Sequence, residues 1–238
     1  MSSRRVRAIF RKELREYRRN GSVVVAMAII PLIFLIQPLV TVLTLATTAA
    51  GSLSHKDPLL YMLGIPALVP TTVAAYAVVG ERQQGTLEPL LETPIRREEL
   101  LLGKALASFA PSVAIAYAVY ALFIAIIELF AHPGIAAALV RGPELLAQLL
   151  FTPLIAVWSI WVSIAISART NDVRTAQQLG LLAALPTVAV ATLIAYNIIH
   201  PSLPLAIALA AVLLVLDRLG WRAASAVFDR ERLITNTR

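Results

Sequence analysis

The feature that most constrains this chain is the spacing of its charged residues. Asp, Glu, Lys and Arg make up only 15% of the 238 residues, and they occur in clusters that are separated by long apolar stretches. A helix needs about 20 apolar residues to cross a hydrocarbon core of about 30 Å, and each stretch is long enough. A water-soluble domain is therefore excluded. The five uncharged stretches are residues 20–55, 58–80, 105–127, 145–168 and 175–216.

The last stretch is too long for one span, and its middle is rich in residues that break helices. Asn197, His200, Pro201 and Pro204 predict a turn there, which raises the number of spans to six. We therefore expect an all-α polytopic membrane protein. The expected domains are an interfacial helix at 1–20, a transmembrane domain at 21–221 with a cytoplasmic loop at 81–104, and a cytoplasmic tail at 222–238.

The basic residues predict the orientation of the spans. Nineteen of the 21 Lys and Arg residues lie before span one, between spans two and three, between spans four and five, or after span six; the other two are Lys56 and Arg141. Positive residues are retained on the cytoplasmic side. The sequence thus predicts a multi-pass protein of the cell membrane with both termini in the cytoplasm.

The N-terminal segment has the pattern of an amphipathic helix. Its apolar residues fall within one arc at 3.6 residues per turn, and its arginines occupy most of the rest. Such a helix can lie in the headgroup region of the lipid, although a merely basic flank that obeys the positive-inside rule is the alternative. A signal peptide is disfavoured, because the apolar run that follows is too long. The apolar residues are Val6, Ile9, Phe10, Leu14 and Tyr17.

The loop between spans two and three has its own predicted structure. Gly85 permits a sharp turn and Thr86 can cap a short helix over Leu87 to Glu92, with Pro89 in its first turn. Thr93-Pro94 supplies a second cap and a proline at the first helical position, so we expect the next helix to restart there. The leucines of a short helix of this kind can dock a cytoplasmic partner.

The segment from Gly80 to Lys104 resembles the cytoplasmic loop of ABC transporter permeases of the type-2 export class. The resemblance rests on the combination and order of its elements, on the count of six spans, and on a tail like 228–233. The elements are an acidic-basic pair Glu81-Arg82, then Gly85-Thr86-Leu87-Glu88, the pair Leu90-Leu91, the corner Thr93-Pro94 and a downstream Gly103-Lys104.

The resemblance implies that residues from Thr86 to about Thr93 form a coupling helix seated in a cleft of a separate ATP-binding subunit. Glu81 and Arg82 would then lie just beneath span two. Because they are adjacent, they do not face each other on one helix, and any ion pair they make is expected with Arg96, Arg97 or another element. The working unit would contain two permeases, identical or paralogous, and two ATPases.

We expect no ATP hydrolysis by this chain. A phosphate-binding loop needs Gly-x-x-x-x-Gly-Lys-Ser/Thr, whereas Gly103-Lys104 is followed by Ala105 and preceded at the fifth position by Glu98. ATP and Mg²⁺ would be bound by the partner subunit, and no cofactor is expected here. Three scattered histidines and no cysteine do not suggest a metal site, and no nucleic acid is expected as a partner.

Polar residues that share one face of a span are candidates for a substrate pathway. They face protein or a cavity in a membrane, although the alternative is that Ser and Thr bond their own helix and allow close packing. The candidates are Gln37, Thr41, Thr44 and Thr48 in span one, Thr72 and Tyr76 in span two, and Gln148, Thr152, Ser159 and Ser163 in span four.

The expected function is the permease subunit of an ATP-driven exporter of unidentified substrate. The alternatives are a stand-alone channel or ion-driven carrier, disfavoured because no charge lies deep in a predicted span, and an intramembrane hydrolase, disfavoured because Gly-x-Ser-x-Gly and His-Glu-x-x-His are missing.

Overall fold

The computed structural model describes residues 2–43, 58–85, 95–131 and 142–227. These residues form eight helices and no strand. Six helical segments are long and apolar enough to cross a membrane, which confirms the predicted all-α polytopic fold and the number of spans. The helices are α1 Ser3–Arg19, α2 Gly21–Leu43, α3 Pro58–Tyr61, α4 Gly64–Gln83, α5 Arg97–Phe130, α6 Gly142–Ser167, α7 Val173–Ala195 and α8 Leu203–Val227.

The second span is interrupted near its start. The short helix α3 ends at Tyr61, and α4 begins at Gly64 after a turn in which Ile65 N–H donates to Met62 O at 3.0 Å. Pro66 lies in the first turn of α4, where its missing N–H leaves no helical hydrogen bond unmade. The sequence predicted one uninterrupted span within 58–80 here.

The third span begins later in the loop than the Thr93-Pro94 pair predicts. Ile95 and Arg96 are not helical, and α5 starts at Arg97. The reason is an acceptor that the prediction overlooked: the Glu99 carboxylate accepts a hydrogen bond from Arg96 N–H at 3.2 Å, as an acidic residue at the third helical position often does. The predicted restart of the helix at Pro94 is therefore wrong.

The turn between α7 and α8 is confirmed. Asn197 has a φ of 55°, a left-handed conformation that Asn tolerates better than most residues, and its Oδ1 lies 3.0 Å from His200 Nδ1. At the other end, α8 continues to Val227. The expected boundary between transmembrane domain and tail at 221/222 thus falls inside a helix.

Helix α4 lies at the centre of the bundle. It packs against α2, α5, α6 and α7, and 88% of its span is buried within the protein. Helix α8, by contrast, has only 6% of its span buried within the protein, and it packs mainly on α6. The Trp161 and Trp221 rings hold α8 to α6 edge to face, with centroids 5.1 Å apart, and Gly220 lets α8 approach Trp161 closely.

The amphipathic helix α1 is confirmed as a helix, but its apolar stripe packs on protein. Val6, Ile9 and Tyr17 are at most 8% exposed, because α1 lies along α5 and also contacts α2. Buried side chains of this kind are not available to sink into lipid, as the sequence analysis expected them to do. The position of α1 relative to the bilayer stays a prediction.

Candidate functional site

The two sides of the loop between α4 and α5 meet on helix α1. Glu81 lies in the last turn of α4, before the loop, and Lys104 lies in the second turn of α5, after it. Both side chains reach Lys12, Glu13 or Glu16 of α1. We call these five residues, Lys12, Glu13, Glu16, Glu81 and Lys104, the lysine–glutamate junction.

Lys104 is the centre of the junction. Its side chain is completely buried, and its Nζ lies 2.8 Å from Glu13 Oε1 and 2.8 Å from Glu81 Oε2. Glu13 and Glu81 are also buried, at 2% and 3% exposed. A buried charge is tolerated only when it is paired and hydrogen-bonded, so three helices are joined through one ammonium group.

Lys12 completes the junction from its exposed side. Its ammonium pairs with Glu81 Oε1 and lies 3.2 Å from Glu16 Oε1 and 3.4 Å from Glu13 Oε1. Burial alone would lower the pKa of Lys12, but the negative charges of Glu13 and Glu81 outweigh it and hold that pKa above its usual range. Lys12 therefore stays charged throughout the physiological range.

Burial and neighbouring charges also shift the pKa of Glu13 in opposite directions. Burial would raise the pKa of its carboxyl, yet the ammonium groups of Lys104 and Lys12 lower that pKa below its ordinary value. Nearby, burial and the charge of Glu13 raise the pKa of Tyr17, whose hydroxyl lies 3.3 Å from Ser108 Oγ. Tyr17 thus remains a neutral hydrogen-bonding group beside the carboxylates.

The carboxylates of the junction do not form an evident metal site. Oxygens of Glu13, Glu16 and Glu81 lie within 4.8 Å of one another, which is close enough to share a cation. The ammonium groups of Lys12 and Lys104 already lie among these oxygens and supply the positive charge. We therefore interpret the cluster as an ion-pair network.

A second contact ties the start of α1 to the start of α5. Glu99, which is 1% exposed, accepts hydrogen bonds from Ser2 N–H at 2.5 Å and from Arg96 N–H at 3.2 Å. Arg5 Nη1 lies 3.4 Å from Glu99 Oε2, the oxygen that also accepts from Arg96 N–H. The exit of the loop is therefore fixed to α1 at two points, Glu99 and Lys104.

Arg82 fixes the entrance of the loop to α6. Its guanidinium donates to Thr170 O at 2.7 Å, to Ala168 O at 3.2 Å and to Asn171 Oδ1 at 3.0 Å. The carbonyls follow the last turn of α6, where a helix has unpaired acceptors and a partial negative charge. Glu81 and Arg82 thus bind to other elements, which was one of the two predicted alternatives.

Gly103 allows α1 and α5 to approach this closely. A Cβ atom at this position would lie 2.7 Å from Ile9 Cγ2 and 2.8 Å from Ile9 Cβ, so any larger residue would displace α1.

The predicted turn at Gly85 is confirmed in conformation, since its φ of 67° lies in the left-handed region that favours glycine. The chain turns sharply there and enters the loop.

Most of the predicted coupling residues lie outside the described residues, and their roles stay predictions. Of the set, Glu81, Arg82, Gly85 and Arg96 are described, and Arg96 is exposed at the non-helical entry to α5. The others are Thr86, Leu87, Glu88, Leu90, Leu91, Thr93 and Pro94.

The pathway candidates of α2 and α4 make mostly local hydrogen bonds. Gln37 Nε2 donates to Thr41 Oγ1 and to the Tyr196 hydroxyl, both at 3.3 Å, which links α2 to the end of α7. Thr72 is buried and donates to Val69 O, whereas the Tyr76 hydroxyl accepts from Gln84. Thr44 and Thr48 lie outside the described residues.

The pathway candidates of α6 are all buried inside one chain. Gln148, Thr152, Ser159 and Ser163 are at most 3% exposed, on a helix that packs against α4, α5, α7 and α8. Ser163 lies where α7 comes close at Gly180. Within the described residues, Gln148 Oε1 and the three hydroxyls have no hydrogen-bond partner. The pathway role of all these residues stays a prediction.

Sequence reasoning missed most of the junction. It did not single out Glu13 or Lys104 as partners, and it gave no role to Glu99. A signal was present for Glu13, which interrupts the apolar stripe of α1 at the spacing of Val6, Ile9 and Tyr17. A charge within an apolar stripe predicts an opposite charge on the facing helix.

The comparisons with known proteins agree with this architecture. A family described as ABC-2 family transporter protein matches residues 7–217, which is nearly the whole chain. A search of curated proteins gave no significant match. The match extends from α1 through the first five spans and into α8, so the chain belongs to the ABC-2 transporter family and is a multi-pass membrane permease component of an ABC transporter.

Proposed function

We propose that this chain is the permease subunit of an ATP-binding cassette exporter in the cell membrane, driven by ATP hydrolysis in a separate nucleotide-binding subunit. Two permeases, identical or paralogous, and two ATPases would form the transporter. ATP and Mg²⁺ bind to the ATPase subunits in this proposal, and both termini of the permease face the same cytoplasmic side.

The observation that carries the proposal is the attachment of both sides of the loop 86–94 to one rigid unit. Glu81 before the loop and Lys104 after it are buried and 2.8 Å apart through their charged atoms. A passive tether between two spans needs no such attachment. A loop that receives force from another protein does, because displacement of the loop must move the spans rather than bend the connection.

The contacts of the loop suggest which helices would respond to the ATPase. Force applied between Thr86 and Thr93 would reach α4 through Glu81 and α5 through Lys104, and α1 would move with both because Glu13 and Lys12 bind these residues. Arg82 would transmit the same displacement to the end of α6. Since α4 is the central helix, its displacement is suited to change the access of a substrate route.

The proposal is tested by changing the loop without changing its supports. We expect Glu88→Ala and Leu90→Asp to weaken association with the ATPase, or to uncouple ATP hydrolysis from transport, while membrane insertion stays intact. The permease is co-expressed with its partner ABC ATPase subunit, and the measurements are co-purification in detergent and ATP turnover in liposomes.

Glu98→Ala is the matched control for the loss of an acidic residue, since Glu98 is exposed in the first turn of α5 and outside the junction. The control should keep normal association and turnover. Normal complex formation together with normal transport in both loop variants would refute the docking role. Transport by the permease without any ATPase would favour a channel or an ion-driven carrier instead.

A further inference from the structure

Four polar side chains lie where α5 meets α6, in the half of the bundle that is farther from the lysine–glutamate junction. Glu144, Gln148 and Thr152 follow one another at intervals of four residues on α6, and Tyr120 lies on α5. Gln148, Thr152 and Tyr120 are at most 7% exposed. Within the described part of the chain, Glu144 Oε2, Gln148 Oε1 and the two hydroxyls have no hydrogen-bond partner. We call these four residues the α5–α6 polar cluster.

A proline and a tyrosine show how the two helices are aligned at this cluster. Pro153 has no N–H to donate to the carbonyl of Leu149, and the Tyr117 hydroxyl of α5 donates to that carbonyl at 3.1 Å instead. Tyr120 lies about one turn beyond Tyr117 on α5. The Glu144 carboxylate is close enough to Tyr120 to interact with it electrostatically. Tyr120 therefore lies beside the first turns of α6, where the other members of the cluster are.

Other hydroxyls in the membrane-spanning helices find their partners within their own helix. Thr71 Oγ1 donates at 2.7 Å to the carbonyl four residues earlier, and similar bonds are made by Thr41, Thr72 and Thr192. Thr152 is as completely buried as Thr71 but makes no bond of this kind to the described residues. Bonding to its own helix therefore does not account for Thr152.

We propose that the α5–α6 polar cluster binds a short chain of ordered water molecules, which enters beside Glu144 and extends to Thr152. Buried polar groups are costly without a partner and are nearly always bonded to protein or to ordered water. Glu144 is half-exposed near the start of α6, so its carboxylate connects the cluster to the aqueous phase at this end of the span. A calcium or magnesium ion fits less well, since it takes about six or more oxygen ligands and the cluster has a single carboxylate.

The proposed water chain has a defined length. Eight residues separate Glu144 from Thr152, which corresponds to about 12 Å along a helix and reaches well into a hydrocarbon core of about 30 Å. Ser163 lies beyond this chain, because α7 approaches α6 closely there: a Cβ atom at Gly180 would lie 3.3 Å from Ser163 Oγ. The water site thus lies within one permease and requires neither a second copy nor an ATPase.

Radiolytic footprinting provides a direct test, because X-rays produce hydroxyl radicals from water that is bound next to a side chain. The purified permease is placed in phosphatidylcholine nanodiscs in water enriched in oxygen-18 and exposed to short X-ray pulses, and oxygen incorporation is measured by peptide mass spectrometry. Tyr17 is the matched reference, since it is also buried but its hydroxyl lies 3.3 Å from Ser108 Oγ. We expect Tyr120 to be labelled at least fivefold faster than Tyr17.

Variants of the cluster separate bound water from general access. Gln148→Leu and Thr152→Val should each slow the labelling of Tyr120 at least threefold, because they remove a group that holds water without a large change in volume. Thr152→Ser keeps a hydroxyl and should retain the labelling. Thr71→Val is the matched control, because Thr71 is equally buried but is bonded within α4. It should leave the labelling of Tyr120 unchanged.

Three results would overturn the proposal. The first is labelling of Tyr120 as slow as that of Tyr17, which would mean that the cluster is dry. The second is unchanged labelling of Tyr120 in both Gln148→Leu and Thr152→Val. The third is labelling that is fast in choline chloride and lost in sodium chloride, which would mean that the cluster binds a metal cation in place of water. The assay involves neither ATP nor transport, so its failure leaves the coupling proposal intact.

Discussion

Lys104 Nζ lies 2.8 Å from Glu13 Oε1, although 91 positions separate the two residues in the chain. The same ammonium lies 2.8 Å from Glu81 Oε2, so a single buried cation joins α1, α4 and α5. Separation of any of the three helices would break at least one of these two buried ion pairs. Lys104 therefore helps to hold this end of the bundle together.

Replacement of Lys104 by Met should destabilise the protein by about 3–5 kcal/mol, because Glu13 and Glu81 would each lose their buried partner and keep only the more exposed Lys12. The free energy of unfolding is measured by denaturant titration in detergent. The double variant Lys104→Met/Glu13→Gln should lose less than the sum of the two single losses, as expected for residues in contact.

Arg11→Met is the matched control, because Arg11 is an exposed cation of α1 outside the junction. Its effect should stay within about 0.5 kcal/mol. A loss of similar size in the control and in Lys104→Met would show that the junction contributes no more than a surface charge.

The junction should also weaken in acid. The pKa of Glu13 is lower in the folded protein than its ordinary value of 4.5, so its contribution to stability is complete above that value and decreases as the pH falls through the lower folded pKa. We expect the Tm to fall as the pH decreases below about 5, and to fall less in Glu13→Gln. Parallel pH profiles of the two proteins would contradict this assignment.

The spans and their number could be predicted because a membrane imposes a length and a polarity on each helix, and both can be measured along the sequence. The break at Asn197 was predictable because the stretch 175–216 is too long for one helix, and Asn197, His200, Pro201 and Pro204 cluster near its middle. The interruption before Gly64 could not be predicted, because it depends on the position of Pro66 within the first turn of α4. The start of α5 depends on a side-chain acceptor, Glu99, that competes with the proline signal at Pro94.

The contacts of the loop could be predicted only in part. The motif from Glu81 to Lys104 indicated the right segment, but not the residues that hold it, because their partners lie on α1 and α6, far away in sequence. The apolar stripe of α1 fits lipid and protein equally well by spacing alone. The stripe packs on protein because it contains the buried Glu13, which pairs with Lys104.

Gly103→Val should push α1 away from α5 and cost about 1–3 kcal/mol, since the added side chain would begin 2.7 Å from Ile9 Cγ2. Ile9→Ala in the same chain should restore part of the loss by making room. Thermal unfolding of both variants measures the effect. Gly142→Ala is the control, because nothing lies within 4 Å of a Cβ at that position. Equal Tm values for the Gly103 and Gly142 variants would argue against close contact of α1 and α5.

We predict opposite effects on stability for alanine at Ser167 and at Ser163, although the two residues lie one turn apart on α6. Ser167 Oγ donates to Ala75 O at 2.6 Å and accepts from Val78 and Val79 N–H at 3.2 and 3.1 Å, so it bonds the backbone inside the central helix α4. Ser167→Ala should cost about 1–3 kcal/mol, because it removes three buried hydrogen bonds between α6 and α4. Ser163→Ala should be neutral or stabilising, because the Ser163 hydroxyl has no described partner to lose. The two are compared by denaturant titration together with amide hydrogen exchange of α4. If the loss is instead larger for Ser163→Ala, Ser163 has a partner beyond the described residues, as expected for a residue that lines a shared pathway.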